Sequence, residues 1–186
     1  MACHRFGLLA FANKKHEPSS NIPHFRLAPL TALRQSRPMS TGVAIVAAAF
    51  NEAVVGPMIR EAQAAIEQRG GRVVRLVKVP GAYEIPLTAD ILLREKDVEI
   101  LIVLGFIEKG ETLHGEIMGH VVHRTLMDLQ LERRKPIGLG IIGPGATPEQ
   151  AETRKERYAK DAVFAAFAHQ AALEEIDRQK TGHFGF

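Results

Sequence analysis

From about residue 40 the chain alternates between two hydrophobic rhythms. Val43–Phe50 is a run of small apolar residues, followed by Asn51 and a helical stretch to about Gln68. Gly70-Gly71 closes that stretch, as glycine past a helix C-terminus commonly does. Val73–Val79 alternates apolar and polar positions, and Pro80-Gly81 stops it. Leu87–Leu93 reads as a short helix. Glu99–Ile107 is almost continuously apolar, the pattern of a strand buried on both faces of a parallel sheet. His114–Arg134 places Ile117, Met118, Val121, Val122, Leu126 and Leu129 on one helical stripe. Ile137–Ile142 reads as a fourth strand and Pro148–Arg178 as one long, Ala-rich helix. Strands alternating with helices predict parallel βαβ units, hence an α/β fold: a three-layer α/β/α sandwich around a central four-stranded parallel sheet. Such folds bind ligands beyond the carboxyl ends of their strands. Four such ends are available: Phe50-Asn51, Pro80–Pro86, Phe106–His114 and Ile142–Thr147.

Composition narrows the function classes. The 186 residues suffice for one domain with a tail. No window approaches the roughly 18 to 20 apolar residues of a membrane span. The single cysteine, Cys3, excludes an internal disulfide framework and a Cys-based zinc cage. A sequence pI of 9.2 points first towards nucleic acid, but the charge is unevenly placed. Residues 1–38 carry +5, from Arg5, Lys14, Lys15, Arg26, Arg34 and Arg37 against Glu17, whereas residues 39–186 carry −2. The basic character belongs to the leader, so no nucleic-acid partner is expected. Residues 1–38 are broken by Pro18, Pro23, Pro29 and Pro38 and lack a periodic apolar pattern. Two readings of this leader stand side by side. It is an organellar transit peptide, or an extension without function before a natural start at Met39. The first places the protein in an organelle and the second in the cytoplasm; on both, the folded domain spans residues 39–186.

Each strand end carries chemistry that a structural role explains as well. Phe50 offers a π-face to a planar heterocycle, or caps the core. In Pro80-Gly81-Ala82-Tyr83-Glu84-Ile85-Pro86, two prolines fix a turn whose main chain either meets a polar ligand or simply joins strand to helix. Gly110-Glu111-Thr112-Leu113-His114 opens a helix, where free N–H groups form a ready anion site. His114 at its mouth is suited to proton transfer near neutral pH, with Glu116 close enough in sequence to act on its basicity. Glu116, His120 and His123 share a helix face at metal-ligating spacing, which a solvated face explains equally well. Gly143-Pro144-Gly145-Ala146-Thr147 follows the fourth strand. Arg154 heads a basic cluster with Lys155, Arg157 and Lys160; such clusters are usually solvated, but an arginine aimed at the strand ends could clamp a phosphate.

Taken together, these segments resemble the 6,7-dimethyl-8-ribityllumazine synthase family over roughly residues 42–175. The resemblance rests on Phe50-Asn51, Val79–Pro86, Gly110-Glu111-Thr112 with His114, and Glu149-Gln150-Ala151 followed by Arg154. The Gly-Pro-Gly-Ala-Thr turn looks like the archaeal-type branch. The resemblance implies a flavodoxin-like fold and a transferase that needs neither metal nor organic cofactor. It implies that Phe50 stacks on a pyrimidinedione ring while Ala82, Tyr83 and Glu84 hold the ribityl chain. Phe106, Ile107 and Glu108 would contact the ring through main-chain groups, and Glu111 and Thr112 would give N–H groups to the phosphate of a four-carbon substrate. His114 would transfer protons, Arg154 would bind phosphate across a subunit boundary, and Lys160 would add a second phosphate contact. Leu139 takes a stacking position that is often Phe, and Glu108-Lys109 departs from the commoner pattern. The family forms homo-oligomers, pentamers or sixty-subunit shells, with shared sites. Two rivals of other kinds are the related archaeal riboflavin synthase and a flavin- or lumazine-binding protein without turnover.

Overall fold

The computed structural model describes residues 40–182; the expectations for the leader lie outside the described residues. The elements are β1 (Thr41–Ala48), α1 (Glu52–Gln68), β2 (Gly71–Val79), a 3-10 turn (Ala82–Glu84), α2 (Ile85–Leu93), β3 (Ile100–Glu108), α3 (His114–Arg133), β4 (Ile137–Ala146), α4 (Pro148–Glu152) and α5 (Lys155–Gly182). All pairings are parallel, in the order β2-β1-β3-β4, so the α/β sandwich predicted from the alternation is the observed one.

The period of two in a strand sends alternate side chains to opposite faces, and both faces here are covered. Val43, Ile45 and Ala47 of β1 join Ile100, Ile102, Leu104 and Phe106 of β3 in a core beneath α1 and α5. Ala44, Val46 and Ala48 join Leu101, Val103 and Ile107 in a second core beneath α2 and α3. Eight consecutive residues of β3, Ile100–Ile107, are buried. Burial of such a side chain contributes roughly 1.5–3 kcal/mol, which makes β1 and β3 the anchor of the domain. The edge strand β2 is largely exposed and carries Arg72, Arg75 and Lys78. A one-residue irregularity between Val43 and Ala44 shifts its register against β1.

Polar ties across the second layer were not visible in the sequence pattern. Asp90 of α2 accepts from Arg94, and from Arg133 Nε of α3 at 2.9 Å. The hydrogen bonds from Arg94, and then from Arg133, hold its carboxyl below the usual range. Lys135 donates to the carbonyls of Leu93 and Glu95 at 2.6 and 2.9 Å, closing the end of α2 with a cation.

Three expectations need correction. The α3 stripe is split: Val122, Leu126 and Leu129 are buried, whereas Ile117 and Val121 are 55% and 50% exposed. Those residues sit on a second apolar face, turned away from the sheet. The final helix is broken at Thr153-Arg154 into α4 and α5. Strand β4 runs four residues past Ile142 to Ala146, through a cis Gly143-Pro144 bond.

Candidate functional site

The chain leaves β1 by α1 on one face and returns to β3 by α2 on the other, so the sheet changes winding direction between β1 and β3. A crevice forms beyond the carboxyl ends of the strands at such a point. Phe50 stands there. Ala49 and Phe50 donate their N–H groups to the carbonyls of Val79 and Pro80 at 2.7 and 3.1 Å, carrying the β1–β2 ladder just past the strands. Asn51 then takes the left-handed conformation, φ 64° and ψ 59°, which asparagine tolerates better than most residues. This tight turn starts α1 and expels the Phe50 ring, which is 60% exposed. Its reading as a cap on the core is therefore excluded.

The Pro80–Pro86 segment is rigid and also presents side chains. Glu84 Oε2 accepts the Gly81 N–H at 2.9 Å, and Thr88 Oγ1 donates to the Glu84 carbonyl at 3.1 Å. Ala82 is buried, which anchors the 3-10 turn, while Tyr83 stays 44% exposed. The Tyr83 ring lies edge-on to that of His114, with centroids 5.8 Å apart and planes inclined at 68°. Two loops far apart in sequence thus converge.

At the end of β3, the Phe106 and Ile107 side chains are buried in opposite cores, so only their main chain is open to a ligand. Pairing of β1 with β3 stops at Ala47–Leu104, leaving the β1-facing edge of Gly105–Glu108 beyond the last pair. On the other side Glu108 pairs with Ala146, and Lys109 donates to the Ala146 carbonyl at 2.9 Å. Glu111 and Thr112 are exposed, and their N–H groups meet no acceptor among the described residues. Thr112 Oγ1 instead accepts from the His114 N–H at 3.4 Å. His114 is the first residue of α3 and is exposed to the crevice mouth. The nearest basic partner of the Glu116 carboxylate is His120, at 3.8 Å, rather than His114. His123 Nδ1 turns back to the Gly119 carbonyl at 2.8 Å. The Glu116, His120 and His123 face therefore does not converge on a point, and no metal-binding cluster of three such residues exists among the described residues.

The β4 end forms a separate concavity. Gly143 and Gly145 take φ of 95° and 88°, values that favour glycine. The Pro144 ring between them packs on Gly119 of α3, where an added Cβ would lie 2.6 Å from Pro144 Cδ. Thr147 and Gln150 form a capping box: Gln150 N–H donates to Thr147 Oγ1 at 3.3 Å and Thr147 N–H to Gln150 Oε1 at 3.0 Å. Hydrogen bonds from its own N–H and from Thr147 lower the pKa of Glu149. Gly143, Pro144, Gln150, Arg154 and Tyr158 line a cavity of about 330 Å³. Arg154 donates from Nη1 to the Gln150 carbonyl at 3.1 Å and is exposed.

The candidates thus fall into two groups within one chain. Phe50, Ala82–Glu84, Phe106–Glu108, Glu111, Thr112 and His114 lie at or just after the carboxyl ends of β1, β2 and β3, whereas none of Phe50, Tyr83 or His114 lines the Arg154 cavity. Leu139 is partly buried, packed against the α2–α3 core on strand β4. Lys160 is paired with Glu61 at 3.0 Å and lines a different cavity, between α1 and α5. Tyr158 was missed by sequence reasoning; its position four residues after Arg154 was the available signal.

Comparison with known proteins identifies the family. The sequence model described as 6,7-dimethyl-8-ribityllumazine synthase matches residues 40–180. Proteins of that name from Pyrobaculum arsenaticum and Staphylothermus marinus are 41% and 40% identical over 139 residues, spanning 75% of this chain and 89% of each relative. One from Metallosphaera sedula is 42% identical over 127 residues, 68% of this chain and 84% of its own. On this evidence the chain belongs to the 6,7-dimethyl-8-ribityllumazine synthase family, transferases of riboflavin biosynthesis.

Proposed function

We propose that the crevice condenses 5-amino-6-(D-ribitylamino)uracil with 3,4-dihydroxy-2-butanone 4-phosphate, giving 6,7-dimethyl-8-ribityllumazine, inorganic phosphate and two waters. The observation that carries the reading is the Tyr83 ring set against His114, with the exposed Phe50 bonded through its N–H to Pro80 at the start of the same turn. The pyrimidine ring stacks on Phe50 and lies along the free main-chain edge of Phe106, Ile107 and Glu108. Ala82, Tyr83 and Glu84 take the ribityl chain. The N–H groups of Glu111 and Thr112, at the opening of α3, take the phosphate, as helix N-termini favour anions.

The 5-amino group adds to the ketone carbonyl, and water leaves to give an imine. Loss of a proton from the adjacent carbon expels phosphate and leaves an enol, which takes up a proton at its terminal carbon to become a methyl ketone. The ribitylamino nitrogen adds to that carbonyl and closes the ring with loss of the second water. Each step is an addition, an elimination or a condensation that needs no outside electron carrier. His114 moves protons between the substrate carbon and oxygen atoms. Holding two substrates in register supplies much of the remaining rate.

Arg154 serves the phosphate of an adjoining copy of the chain. Its separation from the crevice within one chain supports that reading. So do Leu87 and Ile91 on α2 and Leu113, Ile117 and Val121 at and along α3, all at least 50% exposed. Apolar surface of this extent beside a site is characteristic of subunit contact, and the assembly is a homo-oligomer, pentamer or shell. Leu139 meets the ring from the neighbouring copy. Lys160 would first have to leave Glu61 to reach phosphate. No helix among the described residues is long and apolar enough to cross a membrane. The place of work follows the leader: the cytoplasm if residues 1–38 are an extension without function, an organelle if they are a transit peptide. The decisive test follows lumazine absorbance after mixing the two substrates with the protein. Formation above the uncatalysed rate supports the assignment, and tight lumazine binding without turnover replaces it with a binding protein.

A further inference from the structure

Lys155 has no role so far, yet its side chain is only 12% exposed, whereas Arg154, Glu156 and Arg157 around it are exposed. A lysine buries its methylene stem readily, but its ammonium leaves water only where polar partners replace the solvent. Two do so here. Nζ donates to the Glu152 carboxylate, at the last residue of α4, and reaches the Ala53 carbonyl at 3.5 Å. That carbonyl lies in the first turn of α1, four residues before Pro57, which stands inside the helix. Proline has no N–H, so Ala53 lacks the i+4 donor that would ordinarily complete its helical bond. Lys155 occupies the acceptor that Pro57 leaves open.

We infer that Lys155 is a positioning residue for Arg154. By bonding the orphaned Ala53 carbonyl it fixes the α4–α5 joint, where Arg154 stands, against the turn that follows Phe50 and Asn51. The inference rests on the reading of Arg154 as the phosphate-binding group. It adds that the two halves of the site carried by one chain, the ring-stacking half and the phosphate half, share a polar tie at this ammonium group, beside the core packing of α1 against α5.

The test compares Lys155→Met, Lys155→Arg, Pro57→Ala and Arg154→Ala in the full-length protein, with separate KM values for the two substrates, kcat, melting temperature and particle size. Methionine keeps the stem and removes the ammonium. It should raise KM for the butanone phosphate roughly 3- to 10-fold, since small misplacements of binding groups are costly. KM for the ribityl pyrimidine should stay within about two-fold. Lys155→Arg should restore most of the loss. Pro57→Ala gives Ala53 a helical N–H, so it should reproduce part of the KM increase without lowering the melting temperature, and it answers the question even if Lys155→Met fails to fold. Unchanged KM for the phosphate substrate in both Lys155→Met and Pro57→Ala, or equal increases for both substrates, would overturn the inference. Arg154→Ala separates this from the parent reading. If it leaves KM for the phosphate substrate unchanged, the phosphate assignment itself is wrong; if it raises that KM and Lys155→Met does not, only the positioning role falls.

Discussion

Gly119→Ala sets two effects of known sign against each other. In the interior of α3, alanine is a better helix former than glycine by about 0.8–1 kcal/mol. The new Cβ, however, would lie 2.6 Å from Pro144 Cδ and 2.7 Å from Cγ. Carbon atoms prefer roughly 3.5–4.0 Å, so the proline ring must retreat by about 1 Å. It belongs to the closing residues of β4, and its cyclic side chain cannot rotate away. Overpacking of this kind costs about 1–3 kcal/mol, which leaves a net destabilisation of about 1 kcal/mol. For a domain of this size that is a melting temperature lower by about 2–4 °C, measured at one fixed protein concentration. Gly119→Val should lower it further. The displaced turn also forms a wall of the Arg154 cavity, so KM for the phosphorylated substrate should rise by roughly 2- to 10-fold while that for the pyrimidine holds. A variant that melts at or above the wild type with unchanged kinetics would show that α3 and the Pro144 turn separate freely, and the account of this contact would be wrong.

His114→Ala should lower kcat by roughly ten-fold with the assembly intact; general acid–base groups are worth about 10²–10⁴-fold, but the amine is already a competent nucleophile, so the low end applies. A wild-type rate that does not change between pH 6 and 8 would remove His114 from the mechanism. Because Arg94 and Arg133 lower the pKa of Asp90, its contribution to stability is complete above the ordinary carboxylate value of 3.8 and is lost as pH falls through the lower folded value. Urea titrations from pH 7 to pH 2 should therefore show Asp90→Asn less stable than wild type at neutral pH, with the gap closing in acid; a constant gap refutes the linkage. Deletion of residues 1–38 should leave melting temperature, particle size and lumazine formation unchanged, since the sequence gives that segment no apolar period to bury.

The parts of the fold written in short-range pattern were legible. β3 reads directly as a two-sided buried strand because eight apolar residues in a row leave no face for water. The strand ends located the crevice for the same reason, since every loop after a strand in such a sheet opens on one side. The α3 stripe was misread because hydrophobicity does not distinguish a face that meets the sheet from one turned away from it. Ile117 and Val121 are as apolar as Val122 and Leu126, and only the geometry tells them apart. The break at Thr153-Arg154 was hidden by helix-forming residues on both sides; the capping box of Thr147 and Gln150 marks only where the first piece begins. Ties such as Asp90 to Arg133 or Lys155 to Ala53 join residues 43 and 102 positions apart, and no local pattern encodes them.

The opposed burial of Phe106 and Ile107 has an evolutionary consequence. A heterocycle read by the backbone edge of β3 would be read by groups that every residue except proline supplies alike. Exchange of either side chain is felt by one core or the other, as a change of volume, and the donors and acceptors offered to the ring remain the same. Recognition at this edge can therefore stay constant while the residues that form it drift among apolar types. What drift must preserve is the length difference between β1 and β3: each further pair beyond Ala47–Leu104 would take up part of the edge that Gly105–Glu108 leaves open.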